Sequence, residues 1–171
     1  MRLADMTISM PITPNPTFAL IDYPGVQRSA LWGLADMFAL LPSLQNEQPG
    51  PETRIIDSVD PDPRPCSAFV FPPSIDGSRG TDAPQLQDWA VTQHQAGALA
   101  CSVCAGAFWL GHAVLLNGRP ATTHWALEAE FRAAFPKADL RPEHILIDDH
   151  DVITAGGLMA WLDLGLYLTG R

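Results

Sequence analysis

Cys104 is the residue around which chemistry could be built. In Ser102-Val103-Cys104-Ala105-Gly106 it joins a β-rich run, Leu99 to Val103, directly to a helical segment, with small residues two positions before and two after it. That is the form of a nucleophile elbow: so sharp a turn holds the residue in a strained backbone conformation, and small neighbours let strand and helix approach each other. The sulfur is then expected to project from the C-terminal edge of a sheet toward solvent, beside free N–H groups that favour the thiolate. The alternative is a buried core cysteine, the commoner fate of a single thiol. Cys101 makes a Cys-x-x-Cys with Cys104, but it falls inside the strand rather than at a helix start. A redox dithiol is therefore disfavoured, and Cys101 and Cys66 read as structural.

His124, in Ala121-Thr122-Thr123-His124-Trp125, follows an extended piece that comes after the elbow helix, so it can return to the same edge of the sheet. It is the best candidate proton partner for Cys104, although spacing alone does not establish contact, and a histidine that caps or lines the fold is the rival reading. His94 and His112 read as packing or surface residues on helices. His144 with Asp148, Asp149, His150 and Asp151 reads as a solvated hairpin tip rather than a metal site.

The elements that must position these residues alternate along the chain. Thr17 to Tyr23 is a strand, Arg28 to Leu41 a helix ending before Pro42, Thr53 to Val59 and Ser67 to Phe71 two further strands. A helix capped by Thr81 or Asp82, with Pro84 near its start, stops at Gly97. Leu99 to Val103 is the strand before the elbow, and a helix from Ala105 to Leu116 follows it. Ala126 to Phe135 is helical, Ile145 to Ile147 and Val152 to Thr154 form a hairpin, and Leu158 to Leu168 is a helix so apolar that it must be buried on several sides. Repeated βα units of this kind give an α/β fold: an open, mostly parallel sheet with helices on both faces and ligands at the C-terminal ends of the strands.

Composition narrows the function classes. The 171 residues carry 47% apolar and 17% charged side chains, which suits one compact domain, and a formal charge of −9 repels a phosphate backbone. DNA contact would need a part outside this chain. The odd count of three cysteines points to a reducing, cytoplasmic compartment. Residues 1–16 hold Pro11, Pro14 and Pro16 without a signal-peptide run and read as a loose arm, leaving 17–171 as the domain. Gly97 to Leu116 lacks Asp, Glu, Lys and Arg, yet its glycines and His112 favour a buried strand and helix over a membrane span.

Four motifs carry a family likeness. Tyr-Pro-Gly-Val-Gln at 23–27, Ser-Val-Cys-Ala-Gly-Ala-Phe at 102–108, Leu-Leu-Asn-Gly-Arg-Pro-Ala-Thr-Thr-His-Trp at 115–125 and Thr-Ala-Gly-Gly-Leu-Met-Ala-Trp-Leu-Asp-Leu-Gly-Leu at 154–166 resemble the ThiJ/PfpI superfamily. More narrowly, they resemble the glutamine-amidotransferase-like sensor domain at the N-terminus of AraC-type transcriptional regulators. The resemblance implies a flavodoxin-like three-layer sandwich, usually dimeric, with Cys104 in the elbow. Enzymes of the superfamily place an Asp or Glu early in the first helix, against the cysteine; that position here is Ala30, and Asp36 lies nearly two turns further on. The family's Pro-Gly-Gly, which offers backbone N–H to an oxyanion, corresponds to Pro72-Pro73-Ser74, so Ser74 and Ala105 are the remaining donors.

A site without its acid and with an altered oxyanion hole should catalyse poorly but still bind. The expectation is a small-ligand-sensing regulatory domain, non-catalytic or weakly active, with a pocket under Cys104 closed by His124, Trp125 and the Ser74 loop. It would need no cofactor, would pair as a homodimer, and would reach DNA only through a domain outside this chain. The rival is a stand-alone cysteine-dependent enzyme, such as an isocyanide hydratase, a glyoxalase-type lyase or an amidase. Cys104 would be its nucleophile, His124 the proton partner, and Ser74 and Ala105 the donors. A peroxide-sensitive thiol at Cys104 is a third reading.

Overall fold

The structure, a computed structural model, describes residues 15–44 and 50–170. The arm expected over residues 1–16 lies almost wholly outside the described residues. In chain order the elements are β1 (Thr17–Asp22), α1 (Arg28–Leu44), β2 (Glu52–Asp57), β3 (Ala68–Phe71), α2 (Pro84–Gln95), β4 (Leu99–Val103), α3 (Ala107–His112) and β5 (Pro120–Ala121). They continue with α4 (Glu128–Ala134), β6 (Asp139–Leu140), β7 (Leu146–Asp149), β8 (Val152–Ala155) and α5 (Trp161–Gly170), and short 3-10 turns at Cys104–Gly106 and Trp125–Leu127 introduce α3 and α4.

Six strands form one sheet in the order β2-β1-β3-β4-β8-β7, parallel throughout except for β7, which returns antiparallel along β8. The central strands are buried on both faces, as strands covered by helices from both sides must be: β3 and β8 at every position, β1 at all but its two ends, and β4 at all but its first residue. Helices α1 and α5 pack together on one side, and α2 and α3 on the other. Trp161 of α5 lies against Gly33 of α1, where an added Cβ would stand 2.6 Å from the indole. This is the open, mostly parallel sheet with helices on both faces that the βα pattern predicts, and the three-layer, flavodoxin-like sandwich that the resemblance implies. The chain leaves β1 toward β2 in one direction and β3 toward β4 in the other, so the strand order reverses between β1 and β3. Ligands of such sheets sit in the crevice at that reversal.

Several expected boundaries shift. Helix α1 runs through Pro42 to Leu44. Neither Thr81 nor Asp82 caps α2; Ala83 occupies the cap without a side-chain bond, Pro84 supplies the first-turn position that needs no N–H, and Thr81 bonds Asp82 instead. The helix after the elbow ends at His112 rather than Leu116, and the chain then turns through Val114 at φ 63°. Helix α5 begins at Trp161, and only Trp161, Leu164, Gly165 and Leu168 are buried. Leu162, Leu166 and Tyr167 face outward, contrary to the expectation of burial on several sides.

The hairpin tip also differs from a solvated turn. Arg119 donates to Asp149 at 3.1 Å and to Asp151 at 2.5 Å, and His94 meets Asp151 at 2.9 Å. The Arg119 guanidinium holds the Asp151 carboxyl down at about 2. Among the described residues no cluster of three metal-ligating side chains occurs, and no helix is long and apolar enough to cross a membrane.

Candidate active or ligand-binding site

Three strand ends converge at the C-terminal edge of the sheet. Tyr23, just past β1, donates its hydroxyl to the Pro72 carbonyl at 2.5 Å, tying the end of β1 to the end of β3. Its ring packs 5.1 Å from Trp109 of α3, which stacks on Phe71 at 5.3 Å with an interplanar angle of 7°. The end of β4 then folds into the elbow. Val103 is extended, and Cys104 takes φ 55°, a left-handed conformation that costs a non-glycine residue of order 1–3 kcal/mol unless the surroundings impose it. Two contacts do impose it. Gly106 packs so closely on β3 that an added Cβ would lie 2.1 Å from the Phe71 carbonyl oxygen, and the buried Thr123 hydroxyl donates to the Cys104 carbonyl at 2.8 Å. The expected strained turn with small neighbours is therefore present.

The Thr122-Thr123-His124 segment reaches the elbow because its threonines are anchored on both sides. Thr122 N–H donates to Thr154 of β8 at 2.9 Å, its hydroxyl donates to the His144 carbonyl at 2.8 Å, and Thr123 bonds Cys104. His124 follows directly. Its Nδ1 accepts the Ala126 N–H at 3.1 Å, which leaves the ring proton on Nε2 as a donor.

A cavity of about 310 Å³ opens here, walled by Ser74, Arg79, Cys104, Ala105 and His124, with apolar surface from Ile75, Ala126, Leu127 and Leu158. Four of the five residues read from the sequence thus share one cavity. Trp125 does not join them; it is 73% exposed, its ring 5.3 Å from that of His124. His124 is the extended cap residue of the 3-10 turn Trp125–Leu127, and Trp125, the first residue of that turn, faces outward.

The sulfur does not project into solvent as expected. Cys104 is only 4% exposed. Burial pushes its thiol up, and the Ala105 N–H and the nearby Arg79 guanidinium offset this only in part. Burial therefore works against the expected thiolate. Ala30, at the position that the resemblance gives to the superfamily's acid, is wholly buried and carries only a methyl, and Asp36 is exposed. The Ser74 hydroxyl is within hydrogen-bond reach of the Gly25 carbonyl at 3.3 Å and Asp76 at 3.0 Å, and it accepts the Ser78 N–H at 3.1 Å. Asp76 lies in the notch that Gly25 leaves, at φ 78°, where a Cβ would collide with the carboxylate. The loop that carries Ser74 is thereby pinned to the Tyr23–Gln27 motif.

Arg79 is the site residue that sequence reasoning missed. It spans the cavity wall: Nε and Nη2 bind Glu130 of α4 at 2.8 and 3.1 Å, and its guanidinium lies 5.1 Å from the centre of the Phe108 ring. A signal was available, since Arg79 is the one Lys or Arg between Arg64 and Arg119. Nothing in its local sequence says which way the loop folds.

Comparison with known proteins agrees with this geometry. The chain is 29% identical over 157 residues to isonitrile hydratase of Pseudomonas putida, covering 85% of this chain and 67% of that protein. It is 38% identical over 77 residues to the HTH-type transcriptional regulator ArgR of Pseudomonas aeruginosa; that match takes in 45% of this chain but only 23% of the regulator. An AraC family transcriptional regulator from Pseudomonas putida shares the fold with a TM-score of 0.71 at 14% identity, over 92% of each chain. The sequence profile of the DJ-1/PfpI family matches residues 75–169, the stretch that holds Arg79, the elbow, His124 and all but the last residue of α5. With the elbow at the edge of this sheet and that match over more than half its length, the chain belongs to the DJ-1/PfpI family.

Proposed function

We propose that this chain is the small-ligand-sensing domain of an AraC-type transcriptional regulator, non-catalytic or weakly active, which pairs as a homodimer in the cytoplasm and reads DNA through a domain outside these residues. The observation that carries the reading is the setting of Cys104: a buried thiol whose burial works against ionisation, in a cavity whose wall holds no carboxylate among the described residues to move its proton. General acid–base assistance supplies ~10²–10⁴ in rate, so its loss leaves a poor catalyst. The cavity keeps what recognition requires, namely concavity, apolar walls and a few fixed polar groups at Arg79, His124 and Ser74.

Further support comes from charge and surface. A net charge of −9 suits a domain that leaves DNA to another part of the protein. Trp32 on α1 and Leu162 and Leu166 on α5 are exposed apolar side chains on the two helices of one face, which suits self-association. All three cysteines are free thiols, in keeping with a reducing compartment. A cysteine-dependent enzyme is the second reading, favoured by the relation to an isonitrile hydratase that extends over most of the chain.

The test is a small-molecule screen read by melting temperature and by turnover, on the wild-type chain and on Cys104→Ser. A sensing domain is stabilised by its ligand in both proteins, by about 2.7 kcal/mol at a hundredfold excess over Kd, without turnover. Conversion of a substrate that stops in Cys104→Ser would overturn the reading in favour of the enzyme.

A further inference from the structure

We propose that the cavity selects an anionic ligand, a small carboxylate, by placing its charged end on Arg79. The inference rests on the reading of the cavity as a ligand site and adds the chemical class of what it holds.

The chain has nineteen acidic and ten basic side chains, yet the cavity wall contains Arg79 and no carboxylate among the described residues. In so acidic a protein a randomly placed opening would be lined by acid more often than by base. The other polar groups there carry no negative charge by geometry: His124 Nδ1 accepts the Ala126 N–H, which leaves Nε2 to donate, and burial disfavours the charged form of Cys104. The wall therefore presents donors rather than acceptors of charge, with Glu130 on the outer side of Arg79 and Asp76 behind Ser74, and it is set into a surface that repels anions at long range. Any preference for an anion must come from the cavity itself.

Arg79 is oriented for the task. Glu130 takes the Nε and Nη2 side of the guanidinium, and Nη1 reaches the Ser78 carbonyl at 3.4 Å. A guanidinium has five N–H donors in a rigid fork, so a second hydrogen on each of Nη1 and Nη2 remains, side by side, in the spacing that a carboxylate accepts in bidentate fashion. Glu130 and the Phe108 ring hold the fork still, which lowers the entropy lost on binding. Ile75, Leu127 and Leu158 supply apolar surface for the remainder of the ligand. Lysine in place of Arg79 would keep the charge but lose the fork.

The experiment is calorimetric titration of the full chain at fixed ionic strength with acetate, butyrate and hexanoate, each against its primary amide, in wild type, Arg79→Gln and Arg79→Lys. Melting temperatures of the unliganded variants confirm that they fold. The expected result is that at least one acid binds the wild type roughly tenfold to a hundredfold more tightly than its amide, the range for a hydrogen-bonded charge. Arg79→Gln should abolish that preference, and Arg79→Lys should retain only part of it. Amides that bind as tightly as acids, or an acid preference that survives in Arg79→Gln, would overturn the inference while leaving the ligand-sensing reading intact. If neither acids nor amides saturate the wild-type cavity, the inference fails together with the reading on which it rests.

Discussion

Gly106→Ala is expected to destabilise the protein by about 3 kcal/mol or more, at the upper end of what overpacking costs, and to lower the melting temperature by roughly 6–12 °C for a chain of this size. The cause is specific. Gly106 has φ −56°, which alanine adopts freely, so backbone strain contributes nothing. The obstacle is the Phe71 carbonyl oxygen, 2.1 Å from the position of the new Cβ, with the Pro72 oxygen 2.9 Å away. Both are backbone atoms at or just past the end of β3, so relief requires moving the elbow, whose Cys104 and Ala105 line the cavity, off that strand. Gly118→Ala is the control, because Gly118 has φ 72° but open space around its Cβ. It should cost only the left-handed penalty of about 1–2 kcal/mol. A thermal melt that ranks the two variants the other way would show that the strand and elbow do not touch as described.

Trp109→Ala is the second large effect, expected at about 3–5 kcal/mol, the usual cost of removing a buried aromatic ring. Trp109 is 1% exposed, stacks on Phe71, meets Tyr23, and stands 3.0 Å from where a Cβ on Gly80 would sit. It therefore backs both strand ends that meet at the elbow. Trp109→Phe keeps part of the stack and should lose less than half as much. Chemical denaturation of the three proteins checks this: equal midpoints for wild type and Trp109→Ala would remove the aromatic stack from the account.

These two predictions draw on features that were unequally legible in the sequence. Gly106 was readable, because a cysteine between small residues at a strand-to-helix junction marks a tight elbow, and the observed φ of 55° at Cys104 bears it out. The β4 strand and the β7–β8 hairpin were equally plain, since short apolar runs between turn residues admit little else. Local pattern failed where long-range packing decides. Burial of Cys104 depends on parts of the chain distant in sequence, among them Thr123, which bonds its carbonyl, and no residue near 104 encodes them. The outward face of α5 could not be told from a buried one, because Leu162 and Leu166 look like core residues whether or not something covers them. Arg79 enters the cavity only because Glu130, fifty-one positions away, receives it. Trp125 was placed in the cavity by its nearness to His124 in sequence, whereas the chain passes at Trp125 from the extended cap residue into a 3-10 turn whose first side chain faces outward.

Family membership does not decide chemistry, since one fold hosts binding and catalysis alike. What separates them here is whether the elbow cysteine is charged. An enzyme nucleophile needs the thiolate or a base that makes it, while a wall of a binding cavity does not. Arg79 and the Ala105 amide pull the thiol toward ionisation, burial pushes the other way, and burial is the larger effect.

The decisive measurement is the ionisation of Cys104 itself, followed as the difference in thiolate absorbance between wild type and Cys104→Ser across the pH range. The account predicts a midpoint above the ordinary thiol value of 9.0, with the sulfur protonated at neutral pH. A midpoint below that value, with thiolate already present at neutral pH, would contradict it and return the site to nucleophilic chemistry.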